Sequence, residues 1–446
     1  MSFSPTRLQQ QLLDCPEPGC YWVAYSGGMD SHVLLHALVT IRESLCCRIG
    51  AVHVNHGLHE EAGQWEAYCR SACKTLGVPF VSLQVDARPA EGESPEAAAR
   101  TARYAALQQW LPRQGCLLTA QHQDDQAETL LLQLLRGSGV KGLAAMPVRV
   151  EFGAGHLLRP LLDCGRQDVL AYALENDLDW IDDPSNQDTG LDRNFLRHRI
   201  VPELRERWPG VSSTLARSAR HCAEAARVLA QLAAQDLAAV AGDTTEALRL
   251  SGLQRLSMER RRNALRHWFM QRCGSTPSSA VVERIVHDVL ESRADAEPCV
   301  RWGGYELRRY RDQVYLLGQL SGRVPGELLE WQLPRPLALP GSGGTLSVTR
   351  EAGQGIRAAA VAGSALQVGF RRGGERCRPA GRRHHHALKK LFQEYGIPPW
   401  ERARIPLIYI DNELAAVTGL WVCDPFSAAP GEPGLAIHWH RTPAHP

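Results

Sequence analysis

The 446-residue chain has no Cys-x-x-Cys pair, although it holds thirteen cysteines. That absence excludes the usual zinc-ribbon and thioredoxin-type spacings and argues against a cysteine-held iron–sulfur cluster. The scattered thiols, with Cys69 and Cys73 on the inward face of a predicted helix, read as reduced and buried. No apolar run reaches the ~20 residues that span a bilayer. The first residues, MSFSPTRLQQQLLDCPEPG, lack the pattern of a signal peptide. A cytoplasmic protein without membrane contact is therefore expected.

A dominant sign of charge is missing as well. Fifty basic residues face 48 acidic ones, for a net charge of +2. The molecule as a whole is no polyanion binder, so affinity for nucleic acid has to come from local patches. Lysine is scarce, at positions 74, 141, 389 and 390 only; nearly every cation is an arginine, the better bidentate phosphate ligand. There is no internal repeat and no GxxxxGK[ST] phosphate loop. Composition is otherwise that of a globular protein, 44% hydrophobic and 22% charged, with room for two to four domains.

What is present begins with alternating strand and helix signals over the first ~135 residues. Apolar runs at Tyr21–Tyr25, Ile49–Val54, Pro79–Val85 and Cys116–Thr119 read as buried parallel strands. Helical patterns lie between and after them, at Ser31–Leu45, Glu60–Leu76, Ser94–Leu111 and Asp124–Leu135. Repeated βα units predict a doubly wound α/β domain that binds its ligand beyond the carboxyl ends of the strands. Further on, helical sequence dominates Arg217–Ala241 and Met258–Cys273, and Trp302–Leu317 alternates like a hairpin. A Pro/Gly-rich stretch, Leu333–Gly344, reads as a linker. The last ~80 residues read as a small α+β unit, with strands near Leu366–Phe370, Leu407–Tyr409 and Leu414–Gly419 and a helix at His386–Tyr395.

Ser26-Gly27-Gly28-Met29-Asp30-Ser31 closes the first strand. Glycines let a ligand approach the main chain, and a helix opening near Asp30 aims its positive end at the same place. This predicts a phosphate cradle. Asp30 would repel phosphate unless a cation bridges them, and Mg²⁺ on ATP is the natural bridge.

Four further constellations accompany it. His53-Val-Asn-His56 puts two imidazoles beside the crevice, for nucleotide or substrate contact or for local structure; three residues apart at a strand end they would diverge, which makes a shared metal the lesser alternative. Arg100, Arg103 and Tyr104 share a helix face, with Glu96 one turn before Arg100, and offer either a surface ion pair or a cationic face for a phosphate or anionic substrate. Asp124, Asp125 and Glu128 open a helix whose positive end they complement, and Asp125 and Glu128 also suit a cation or an incoming amine. Arg193 and Arg197, four apart after Asp182-Asp183-Pro-Ser-Asn186, are placed to stabilise charge on a phosphate. Gly137, Gly139 and Gly142 form a GxGxxG that follows no strand, so a dinucleotide reading is weak. Arg260-Arg261-Arg262 is a candidate for phosphate contacts. Arg371–Lys390 holds eight basic residues and one acid, either a solvated charge run or an RNA backbone contact.

SGGMDS resembles the PP-loop signature of ATP pyrophosphatases. Together with HVNHGL, EAAARTARY, HQDDQAETLL, RGSGVKGL and DDPSNQDTGLDRNFLRHRIVPEL, it resembles the tRNA(Ile)-lysidine synthetase family from Tyr21 to Pro209. Residues 369–409 are similar to the terminal tRNA-binding domain of its longer members. Gln121 stands where some members have a second histidine. The resemblance implies a PP-loop catalytic domain at 1–216, a mainly helical tRNA-binding domain at 217–332, a linker at 333–364 and an α+β tRNA-binding domain at 365–446. It implies ligation of L-lysine to carbon 2 of the wobble cytidine of a CAU-anticodon isoleucine tRNA, through an adenylated cytidine, with ATP and Mg²⁺.

By matched position, Ser26, Gly27, Gly28, Met29, Asp30 and Ser31 would hold pyrophosphate and metal, with His53 and His56 at the adenosine. Asp30 and Asp125 are the metal candidates, and Asp125 and Glu128 would steer the lysine amine. Arg193 would stabilise the α-phosphate. Arg100, Arg103, Tyr104 and Arg197, with Arg371, Arg372, Arg376, Arg378, Arg382, Arg383, Lys389 and Lys390, would contact tRNA or another substrate anion. A PP-loop tRNA 2-thiolation enzyme, a glutamine-dependent amidating ligase and a non-catalytic RNA-binding protein stay open as rivals. The oligomeric state is open too, a homodimer among the options.

Overall fold

The computed structural model describes residues 3–13, 18–45, 47–57, 61–89, 95–293, 296–318, 327–340, 343–362 and 366–441. Leu58 and the side chain of Glu96, part of two expected motifs, lie outside the described set. The chain divides into two compact units, residues 1–229 and 230–446.

In the first unit the apolar runs become β1 (Cys20–Ala24), β2 (Arg48–Asn55), β3 (Phe80–Gln84) and β4 (Gly115–Leu118). A short hairpin, β5 (Arg149–Phe152) and β6 (Gly155–Leu158), was not anticipated; two four-residue strands carry too little pattern to stand out. The sheet order is β3-β2-β1-β4-β6-β5. All neighbours are parallel except β5, which runs antiparallel to β6 at the edge. Helices α1 (Pro5–Leu13), α2 (Met29–Thr40), α3 (Ala62–Thr75), α4 (Pro95–Trp110), α5 (Gln123–Leu135), α6 (Val140–Leu143) and α7 (Arg166–Glu175) accompany the strands.

Alternate β1 residues face opposite layers. Tyr21 and Val23 join Leu34, Leu35 and Leu38 of α2 and the buried thiols Cys69 and Cys73 of α3. Trp22 turns the other way, to Leu107 of α4 and Leu111 just after it. Because β1 connects outward to β2 while β4 lies on its other side, the order reverses between β1 and β4. The crevice beyond their carboxyl ends is the switch point where doubly wound sheets take ligands.

The second unit has two parts. In the middle region, helices Leu250–Arg255 and Met258–Cys273 pack through Leu253, Leu265 and Phe269 onto a four-stranded antiparallel sheet built round the expected hairpin, now Tyr305–Tyr310 with Gln313–Gly318. The terminal region has two sheets sharing a core of Trp331, Leu346, Val368 and Ile408, with helix Leu388–Glu394 seated by Leu391 and Phe392.

The stretch expected as a linker is woven into that core. Leu337–Ala338 pairs with Thr345–Ala352, which in turn pairs along its full length with Pro433–His440. Prolines and glycines there mark strand ends, and the pairing partner lies too far along the chain for local pattern to reveal it. Trp400 lies 6.2 Å from Tyr310 and 5.4 Å from Tyr315, edge to face, and Arg402 donates to the Tyr310 hydroxyl at 3.2 Å. The middle and terminal regions thus lock together.

Candidate active site

The phosphate-loop geometry starts from Gly27. Its φ is +85°, and a side chain there would meet Cys69 Sγ and Ile181 Cδ1, each at 3.0 Å. Only glycine meets both demands without strain. The Gly27 carbonyl accepts the Ile181 amide at 3.0 Å, which ties the Trp180–Asn186 segment to the loop. Ser31 Oγ accepts the Ser26 amide at 3.2 Å, lies 3.1 Å from Ser26 Oγ and donates to the Gly28 carbonyl at 2.9 Å. These bonds fix the turn into α2. Gly28 precedes the helix with no side-chain cap, so the first-turn amides are left for a ligand. The Met29 side chain is buried in the core, so this residue can offer a ligand only its main chain.

Asp30 lies in that first turn, with Oδ1 buried and, among the described residues, without a hydrogen-bond partner. Its Oδ2 is 3.6 Å from Nε2 of His122, and Asp125 Oδ2 is 3.5 Å from the same nitrogen. The two carboxylates expected to share a cation therefore flank an imidazole. His122 Nδ1 accepts the Asp124 amide at 3.2 Å, while the Asp125 carboxylate accepts the His122 amide at 2.9 Å, a reciprocal capping box at the start of α5. Burial pushes the His122 pKa down, but Asp125, Asp30 and Asp124 outweigh it and raise it. Sequence reasoning did not single this residue out; a histidine at a helix start, two residues before a pair of carboxylates, was the available signal.

Asp125 and Glu128 meet Arg193 and Arg197 in one network. Arg193, on α8 (Asp192–Phe195), donates from Nε to Glu128 at 2.8 Å and from Nη2 to Asp125 at 3.2 Å. Arg197 donates from Nε to Glu128 at 2.7 Å and from Nη2 to Asp125 at 2.8 Å and Glu128 at 3.0 Å. A π-turn at Leu196–Ile200 follows α8, and both guanidiniums still reach Glu128. The quartet is charge-neutral. Burial pushes the Asp125 pKa up, but His122, Arg193 and Arg197 outweigh it and hold the carboxyl below its usual range. Asp124 takes a different role. It accepts Ser212 Oγ at 2.7 Å and the Arg166 amide at 3.1 Å, fastening the start of α5 to two neighbouring helices.

His53 is buried and hydrogen-bonded through Nδ1 to the Tyr25 carbonyl at 2.9 Å. That bond leaves Nε2 as an acceptor. Burial lowers its pKa, and burial with Arg103 and His53 lowers that of His56. On α4, Arg100 lies 4.8 Å and Arg103 5.9 Å from the Tyr104 ring centroid.

The terminal basic run belongs to the second unit. It spans a two-stranded ribbon, Arg376–Cys377 with His386–Ala387, and the following helix. Arg372, Arg376, Arg383, Lys389 and Lys390 are exposed; Arg371 is 3.9 Å from Glu375, Arg378 pairs with Asp424 and Arg382 with Glu394. The Arg260–Arg262 triplet is turned to internal use. Arg260 pairs with Asp236, Arg262 with Glu283, and the buried Arg261 donates to the carbonyls of Leu253 and Gln254.

The crevice and its loop define the class: residues 4–204 match a family model described as a PP-loop domain. Residues 248–315 match a TilS substrate binding domain and 366–439 a TilS substrate C-terminal domain. The chain is 44% identical to the tRNA(Ile)-lysidine synthase of Coxiella burnetii over 98% of this chain and 96% of that one. It is 46% identical to the enzyme of the same name from Methylococcus capsulatus, over 94% and 96%. A solved TILS C-terminal domain, 25% identical, covers 26% of this chain and 98% of its own at a TM-score of 0.23. The chain belongs to the tRNA(Ile)-lysidine synthase family.

Proposed function

We propose that this ligase joins L-lysine to carbon 2 of the wobble cytidine of a CAU-anticodon isoleucine tRNA, using ATP. The observation that carries the reading is the meeting of an uncapped glycine loop with the Asp125–Glu128–Arg193–Arg197 quartet at one switch-point crevice. The cytosine oxygen is a poor leaving group. Transfer of AMP to it, with release of pyrophosphate, makes it one that an amine can displace.

The residues divide the work as follows. The amides of Met29, Asp30 and Ser31 hold the departing pyrophosphate. Asp30, whose Oδ1 is buried and unpartnered, fits a Mg²⁺ ion; Asp125 fits it only by yielding one of its present donors. Bound there, the ion would neutralise phosphate charge. Arg193 Nη1 makes no bond among the described residues and is available for the α-phosphate. The lysine ε-amine, with an ordinary pKa near ~10.4, has to lose a proton before attack, and Asp125 and Glu128 orient it. Arg100, Arg103 and the exposed cations of the terminal ribbon take RNA phosphates.

Radiolabelled L-lysine, Mg²⁺-ATP and CAU-anticodon isoleucine or methionine transcripts test this directly. Label on the isoleucine transcript alone, with matching AMP release, is the expected result. AMP release without label would remove lysine as the nucleophile, and absence of both signals from folded protein would favour a binding protein.

A further inference from the structure

Arg159 has no place in the chemistry above, yet it stands at the same carboxyl end of the sheet. It follows directly on β6, whose last residue, Leu158, accepts the Thr119 amide at 2.9 Å at the end of β4. It is only 7% exposed. Its Nη1 donates to the Pro147 carbonyl at 2.8 Å, and the Tyr104 hydroxyl is within hydrogen-bonding reach. Its Nε is buried and finds no hydrogen-bond partner among the described residues. Burial lowers its pKa, and the neighbouring Arg100 guanidinium pushes it the same way. A buried guanidinium with an unpaired donor is costly, and such an orphan at the carboxyl end of the sheet needs a reason.

We propose that Arg159, supported by Tyr104, receives the α-carboxylate of the substrate lysine. This rests on the ligase reading above. Two observations favour a small carboxylate over an RNA phosphodiester. The guanidinium is buried, whereas Arg100 and Arg103 lie nearer the surface on α4 and suit a polymer. It also stands one strand over from β4, about 4.8 Å away, and β4 leads into the acids that take the ε-amine. An extended lysine spans roughly 7 Å from amine to carboxylate with C–C bonds of about 1.52 Å, enough to bridge neighbouring strand ends. A planar guanidinium pairs with a carboxylate through two parallel bonds, which would satisfy the orphaned donor.

The test compares lysine with pentane-1,5-diamine, which is lysine without its carboxylate. Wild-type protein should prefer lysine, and Arg159→Met should lower that preference roughly tenfold or more, the size of one charge-assisted bond. Arg159→Lys should fall between them. A ratio of kcat/KM values does not depend on how much of a variant is folded. An unchanged ratio in an active variant overturns the assignment. So does a wild-type enzyme indifferent to the carboxylate. Weaker tRNA binding with a flatter salt dependence and an unchanged ratio would move Arg159 to the RNA backbone instead. Failure of the wild-type to incorporate lysine would strike the ligase reading first.

Discussion

Replacing Gly27 with alanine separates two costs that the structure makes calculable. The first is conformational, because at φ +85° an L-residue costs about 1–2 kcal/mol. The second is crowding: the new methyl would sit 3.0 Å from Cys69 Sγ and 3.0 Å from Ile181 Cδ1, which in a packed site costs about 1–3 kcal/mol. Urea unfolding should therefore show a loss of about 2–5 kcal/mol, with kcat/KM for ATP down more than about tenfold as the loop amides shift, since each 1.4 kcal/mol is a factor of ten. In a Cys69→Ala, Ile181→Val background only the crowding part should return. A double-mutant cycle isolates it from the cost of those two changes themselves. Unaltered stability and ATP kinetics in Gly27→Ala would refute the geometry. A relieved background that recovers nothing would refute the partition.

Glu128→Gln removes the charge that receives both arginines; it should cost stability toward the lower end of about 3–5 kcal/mol, because Arg193 and Arg197 keep 21% and 31% exposure, and calorimetry can read it. His32, His36, His53 and His56 all have pKa values lowered by burial. The unfolded chain thus takes up protons near ~6.5 that the folded chain refuses. Stability should decline as pH falls through that value and level off below the folded pKa values; His53→Gln should flatten the decline, and an unchanged slope would clear His53. Neutralising Arg376, Arg383, Lys389 and Lys390 should reduce the salt slope of tRNA binding by about one unit per lost phosphate contact without altering the KM for ATP. Point changes suit this test better than deletion of the terminal residues, since Leu366–Gly369 pairs with Leu329–Glu330 ahead of it.

The four parallel strands and the glycine loop were legible because short apolar runs ending in Ser-Gly-Gly carry their pattern locally. So were Asp125, Glu128, Arg193 and Arg197 as candidates, since each sits in a dense polar motif. Their mutual pairing was not legible: 65 residues separate Arg193 from Glu128, and nothing in either motif names the other. Arg159 escaped notice because one arginine after an apolar strand looks ordinary until its burial is known. The 333–364 segment misled for the same reason at larger scale. Its turn residues are local, while its strand partner at Pro433–His440 is remote.

Cys69 lies fully buried directly beneath Gly27, with its thiol pushed up to about 12 by burial and by Cys73 and Glu66. So weak an acid in so enclosed a position keeps its sulfur in the unreactive protonated form. A thiol reagent can then reach it only when the floor of the phosphate site opens. The protein thereby carries an intrinsic clock: the rate at which Cys69 is labelled counts openings of that floor, and any ligand that settles on the loop should slow the count.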